Sequence, residues 1–248
     1  MKKTLVILGF LSFNILTYSQ EKTTSLSIGV SGSYSKDIYK SKEKEKPSFL
    51  PVIFINYKGL YLNLSEMGYN FPISNNITLS AYSNFSDGYP IKRKDLEDGF
   101  QTLKNRKSQV VGGGRISYST DIFQSSLFLQ GGKRGNSSGV EMSLNFPLTD
   151  KLSFVTGVNY TMYSKKFTNY YFGVSKEEIG GELKSTYSPK ASSSYGAEIS
   201  FEYQITDPLL LTVTLSATNY SKQIKNSPFV KDRINSSTTV GLQYLFWC

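Results

Sequence analysis

The sequence predicts an all-β fold, a single transmembrane antiparallel β-barrel, on three observations. Apolar and polar residues alternate with period two over runs of roughly ten residues, the length a tilted strand needs to cross a bilayer. Tyr, Phe and Gly number 18, 16 and 20, and Ser and Thr are plentiful, a composition that suits strands better than helices. Very short turns alternate with long polar connections, the asymmetry of outer-membrane barrels with short periplasmic turns and longer outer loops. A soluble sandwich shares the alternation but buries its apolar face and demands neither long strands nor that loop asymmetry. Closure of the sheet also pairs every backbone group, which hydrocarbon requires.

Taken in order, the chain begins with the layout of a secretory signal peptide. Lys2 and Lys3 are followed by an apolar stretch from Leu5 to Leu16 and small residues at Thr17 and Ser19, which places cleavage after Ser19. Residues 20–248 then read as one barrel domain without internal repeats, exported to the outer membrane of a Gram-negative cell. No later window approaches the ~20 apolar residues of a membrane-spanning helix. Strand runs fall at 24–34, 49–57, 60–67, 76–85, 108–118, 122–131, 138–147, 151–163, 193–205, 208–220 and 235–247. The alternation is clearest where Leu209, Leu211, Val213, Leu215 and Ala217 oppose Leu210, Thr212, Thr214, Ser216 and Thr218. Short turns lie at 119–121, 149–151 and 206–208, and long connections at 36–48, 86–106, 163–191 and 222–232. These runs number eleven, whereas a single-chain barrel with both ends in the periplasm needs an even count. The sequence therefore predicts twelve strands, with ten as the alternative, and the phase conflict puts the missing strand in 86–106.

Charge and chemistry narrow the function. Without Lys2 and Lys3 the chain carries 26 basic and 19 acidic residues, a net charge of +7 that, in an exported barrel, suits anionic lipid or cell-wall surfaces rather than nucleic acid. There is no histidine, so serine–histidine acyl chemistry and histidine-ligated metals are closed. Cys248 is the lone cysteine, which rules out an internal disulfide and a thiolate cluster. Neither a catalytic residue nor a cofactor is expected. Arg115, Gln124, Glu141, Asn145, Glu198, Glu202 and Gln204 occupy polar positions of the strand pattern and are expected to line the lumen. Carboxylates at Glu141, Glu198 and Glu202 could form an acid/base pair for sugar cleavage; pairing with Arg115 is the plainer expectation. Gly112-Gly113-Gly114 lacks the Lys-Ser/Thr of a phosphate loop and marks a bend or tight packing. Basic clusters such as Lys92/Arg93/Lys94 and Lys133/Arg134 fall in connections, where they can meet lipopolysaccharide phosphates or simply solvent.

One stretch breaks the alternation. NYYFGVS at 169–175 is followed by Glu177-Glu178, Tyr187-Ser188-Pro189, Asn226-Ser227-Pro228-Phe229-Val230 and a closing Tyr244-Leu245-Phe246. This series resembles the MltA-interacting protein (MipA)/OmpV family of outer-membrane barrels, as do YKGLYLNLSEMG at 57–68 and Leu103 with Arg106 ahead of a Gly-rich strand ending at Tyr118. The chain departs from that pattern by ending in Trp247-Cys248 beyond Phe246, at the signal read by the barrel-assembly machinery. The resemblance implies a scaffold that brings a murein lytic transglycosylase together with a murein synthase, docking through the periplasmic turns. A narrow porin-like channel or an adhesin is the alternative. Tyr171, Phe172, Gly173, Val174 and Ser175, with Ser227 and Pro228, are expected to cap the outer mouth, Gly173 allowing a turn and Lys176-Glu177-Glu178 returning to solvent.

Overall fold

The structure, a computed structural model, describes residues 24–43 and 45–247. The signal segment 1–19 lies outside the described residues. Twelve strands form one closed antiparallel barrel: β1 (Ser25–Lys36), β2 (Glu45–Tyr57), β3 (Leu60–Asn63), β4 (Glu66–Pro72), β5 (Ile77–Asp87), β6 (Gln109–Ser119), β7 (Phe123–Gly132), β8 (Gly135–Pro147), β9 (Leu152–Tyr163), β10 (Ser192–Thr206), β11 (Leu209–Tyr220) and β12 (Ile234–Trp247). Each strand pairs with its neighbours in sequence, and β1 closes the sheet on β12 in a register running from Ser25↔Trp247 to Ser35↔Ser237.

The predicted count of twelve stands, but the missing strand is elsewhere. The run read as one strand at 60–67 is a hairpin, β3 and β4, and 86–106 holds no strand of its own beyond the end of β5, only a 3-10 turn at Arg93–Asp95 and isolated bridges. The hairpin escapes a sequence reading because no glycine or proline marks its turn. Instead the Asn63 side-chain oxygen accepts from the backbone N–H groups of Ser65 (3.0 Å) and Glu66 (2.8 Å), a side-chain mimic of a backbone turn.

The strands display the alternation in space. Outward residues such as Ile28, Val30, Leu129, Met142, Val158, Ile199, Leu215 and Val240 are exposed on the barrel wall, where they meet lipid. Inward positions are mostly Ser, Thr, Asn, Gln and Gly with a few charges and some large side chains such as Tyr61, Tyr82, Leu210 and Leu245, and the polar ones are joined by cross-strand pairs such as Ser200–Thr214 (2.8 Å) and Ser216–Ser237 (2.8 Å). Aromatic rings gather at the short-turn end. Phe146, Phe154 and Phe201 form a ladder across β8, β9 and β10 with ring centroids 6.2 and 5.3 Å apart, and Tyr244 packs on Phe246 at 4.7 Å. Such a ladder is the interfacial girdle that fixes a barrel's depth in the membrane.

Every short turn except two lies at that girdle end, which is periplasmic by the short-turn rule. The long connections 37–44, 88–108, 164–191 and 221–233 all emerge at the other end, with the β3–β4 and β7–β8 hairpin tips. On this geometry Val158→Arg, which puts a cation on the lipid face near the middle of β9, is expected to cost roughly 2–4 kcal/mol of folding free energy. The inward neighbour change Asn159→Arg is expected to cost clearly less, as measured by urea unfolding in lipid vesicles.

Candidate functional site: the outer cap and the lumen beneath it

The hydrophobic core of this protein lies outside the sheet. Ile38 and Tyr39 from the first long loop, Ile91, Leu96, Phe100 and Leu103 from the second, Phe167, Tyr171, Phe172, Val174 and Leu183 from the third, and Ile224, Phe229 and Val230 from the fourth form one buried cluster. Tyr163 and Tyr220 join it from the upper ends of β9 and β11, so the cap is rooted in the barrel mouth. Phe172, Tyr171, Leu96, Leu103, Leu183, Ile224 and Phe229 expose essentially nothing, and each such side chain contributes about 1.5–3 kcal/mol of transfer free energy.

Residues of the stretches 169–175 and 226–230 build the centre of this cap. Helix α1 (Lys165–Phe172) starts at Ser164, whose side chain accepts from the Phe167 amide (3.3 Å). Its inner face buries Phe167, Thr168, Tyr171 and Phe172. Val174 then pairs with Tyr187 in an isolated bridge. The two motifs far apart in sequence meet where the Ser227 hydroxyl donates to the Phe172 carbonyl (2.7 Å). Pro228 is half-buried in the turn that follows, between Ser227 and the buried Phe229. Tyr39 stacks on Phe229 (5.6 Å) and packs on Phe172 (5.9 Å). Tyr89, unremarkable in the sequence, is the hub: its ring contacts Tyr163, Phe167, Tyr171, Phe172 and Tyr220.

Two glycines make this packing possible, for different reasons. Gly88 has φ +104°, and a Cβ there would sit 2.0 Å from the Tyr171 hydroxyl, which donates to the Asp87 and Lys107 carbonyls. Gly173 has an ordinary extended backbone, φ −82° and ψ 160°. The expectation that it supplies turn freedom is therefore corrected: a Cβ would fall 2.4 Å from the Asn169 carbonyl oxygen, so close approach excludes a side chain.

A second correction concerns Glu178, which does not return to solvent. It is 2 % exposed and holds a bidentate ion pair with buried Arg106, at 2.8 and 3.2 Å. It also accepts from the Ser175 amide (2.9 Å) and the Lys104 amide (2.8 Å), while Arg106 donates a further bond to the Gly173 carbonyl (2.9 Å). Ser175 itself is exposed and contributes through its backbone. Burial alone would raise the Glu178 pKa, but these hydrogen bonds and the Arg106 charge outweigh it and hold the carboxyl at about 2. Lys176 and Glu177 remain at the surface, Glu177 paired with Lys104.

Below the cap the lumen is polar and its charges are unequal. Glu141, Glu198 and Glu202 alternate inward with outward Met142, Ile199 and Phe201. Arg115 points inward too, but its ion partner is Glu66 (3.1 Å), not the three carboxylates the sequence offered. Glu66 was hidden by the unread β3–β4 hairpin; it also accepts from the Tyr61 hydroxyl (2.6 Å). Arg115 lies over the Tyr82 ring at 4.6 Å, and inward Gly113 leaves room for that ring, since a Cβ would meet it at 2.8 Å. Among the described residues, Glu141 has only the Ser126 hydroxyl as a near donor (3.1 Å). Gln124 and Gln204 occupy inward positions toward the periplasmic end, and the inward Asn145 side-chain oxygen is buried without a partner. Among the described residues no group of three or more acidic or cysteine side chains is placed to hold a metal ion.

Comparison with known proteins agrees with this architecture. Residues 28–246 match the family described as MltA-interacting protein MipA. The chain is 33 % identical over 256 residues to a 24 kDa outer membrane protein of Pasteurella multocida, covering 99 % of each. It is 27 % identical over 202 residues to the MltA-interacting protein of Escherichia coli, covering 79 % of this chain and 81 % of that one. Among solved structures, an outer membrane channel from Pseudomonas putida superposes with a TM-score of 0.51 over 95 % of this chain and 100 % of its own, at 10 % identity, a likeness of fold alone.

Removing one partner of the Arg106–Glu178 pair leaves a buried charge uncompensated. Arg106→Ala is expected to cost about 3–5 kcal/mol of cap stability, seen as faster hydrogen exchange in 164–191 and 221–233 while the barrel strands keep their protection. The pair also sets a pH limit. The folded pKa of Glu178 is depressed, so its stabilisation is fully present above the unfolded value of about 4.3 and lost as pH falls toward 2. Near-ultraviolet circular dichroism of the cap tyrosines is expected to decline across that window in the parent, and Glu178→Gln to remove this component of the decline.

Proposed function

The chain belongs to the MltA-interacting protein (MipA) family, and on that premise we propose that it is a non-enzymatic scaffold of the outer membrane, bringing a murein lytic transglycosylase together with a murein synthase. The observation that carries this reading is the capped outer end. Four loops share one hydrophobic core over the mouth, an arrangement suited to a barrel that works from its other face. The periplasmic connections at 58–59, 73–76, 120–122, 148–151 and 207–208 supply that face. They are short, but together they form a ring, and Ile73, Ile122 and Leu148 expose apolar side chains there at 65 %, 53 % and 54 %. Outer-membrane lipid and lipopolysaccharide surround the wall, and the barrel-assembly machinery inserts it. A relative named for interaction with MltA supports the choice of partner.

A narrow channel is the second reading, favoured by one observation: inward Glu198 and Glu202 have no ion partner among the described residues. Two measurements separate the readings. Cross-linking of the tagged protein in cells, followed by pull-down, is expected to recover a lytic transglycosylase or a murein synthase above an unrelated-barrel control. Planar-bilayer recording of the purified barrel is expected to show no steady conductance. Recovery of lipopolysaccharide and assembly factors alone, with a cation-selective conductance that Glu198→Gln and Glu202→Gln reduce, would replace the scaffold by the channel.

A further inference from the structure

The barrel wall is not of even height. β3 has 4 residues and β4 has 7, beside 13 in β2 and 11 in β5. A strand of four residues rises about 13 Å, whereas crossing the hydrocarbon takes about 9–11 tilted residues. β3 pairs only with Phe54–Tyr57 of β2, so the upper part of β2 has no strand beside it. On the other side, β5 runs past the hairpin from Phe85, whose amide donates to Ser65 (2.7 Å), to Asp87. Above the hairpin the first two long loops join: Ser41 bridges Leu96, the Lys42 amide donates to Asp95 (2.9 Å), and the Glu97 amide to Lys40 (2.9 Å). The result is a window in the wall, with the β3–β4 turn as sill, β2 and β5 as sides, and the loop bridge above.

The sequence of β2 is fitted to that window. The Ser31 hydroxyl donates to the Leu50 carbonyl (3.5 Å), so even-numbered residues of β2 turn their backbone groups toward β1. Residues 47, 49, 51 and 53 then turn theirs toward the window, and two of the four are prolines, Pro47 and Pro51. Proline has no N–H to leave unpaired, and its placement along a free edge blocks the addition of another strand. A partner that docks by extending the sheet is therefore disfavoured.

The lumen face of β2 carries three apolar residues in succession. Leu50, Val52 and Phe54 point inward opposite Ser31, Gly29 and Ser27, and all three are half-buried, outside the cap core. Outward Phe49 and Ile53 are exposed at 83 % and 38 %. A strand apolar on both faces has apolar surroundings on both sides, and here one side is lipid. We propose that the window between β2 and β5 is a lateral portal, through which the acyl chain of an outer-leaflet amphiphile lies against Leu50, Val52 and Phe54 inside the barrel. With the mouth capped, this route joins the lumen to the membrane and not to the medium. It stands independently of the scaffold reading.

The test uses the full chain with Cys248→Ser, carrying a single fluorescent label at Leu50→Cys, Phe49→Cys or Ser216→Cys, in vesicles whose phospholipid acyl chains bear bromine. Phe49 is the lipid-facing reference, and Ser216 an inward position on unbroken wall. The label at position 50 is expected to be quenched nearly as strongly as that at 49 and far more than that at 216. Adding Val52→Asp is expected to abolish quenching at 50 while leaving it at 49, which shows that the barrel remains inserted. Quenching at 50 no stronger than at 216, or unchanged by Val52→Asp, would overturn the portal.

Discussion

A backbone amide left unpaired in hydrocarbon costs several kcal/mol, and that single constraint organises this molecule. It forces β1 onto β12, since an open sheet would present two long edges to lipid. It confines irregular backbone to the cap, where loops can hydrogen-bond to one another and to water. Where the wall is nevertheless interrupted, prolines at 47 and 51 remove donors from the exposed edge. Closure and interruption are answers to the same cost.

The hydrophobic effect acts here in an inverted geometry. The sheet turns its apolar side chains outward to lipid, so the lumen has to be held by serine, threonine and glutamine pairs and by the Glu66–Arg115 bridge. Among the described residues the densely packed apolar core lies above the mouth, where loops otherwise destined for water bury Tyr171, Phe172 and Phe229 around Tyr89. Arg106 and Glu178 enter that core as an ion pair with their remaining hydrogen-bonding positions mostly filled, the condition under which a buried pair is tolerated.

Much of the wall was legible in the sequence because period-two alternation over β10, β11 and β12 leaves few other placements for Leu209–Ala217 or Val240–Phe246. The unequal loop lengths likewise gave the orientation. The β3–β4 hairpin was not legible, since an asparagine side chain does the work of a glycine turn. With it went Glu66, and so the partner of Arg115. The motif YYFGVS signalled the third loop, but its contacts come from elsewhere. Arg106 and Glu178 are 72 positions apart, and no local pattern shows that a Lys-Glu-Glu run sends its last member inward. Tyr89 carries no signal at all beyond being aromatic.

The cap has a kinetic meaning as well as a static one. Tyr39 precedes β2 and Phe229 precedes β12, yet their rings stack. Contacts between such distant segments carry the entropy of closing the intervening chain. The core over the mouth therefore completes only after the last hairpin has brought its loop into place. Its packing is a record that the whole circuit of strands is finished, written on the outside of the cell.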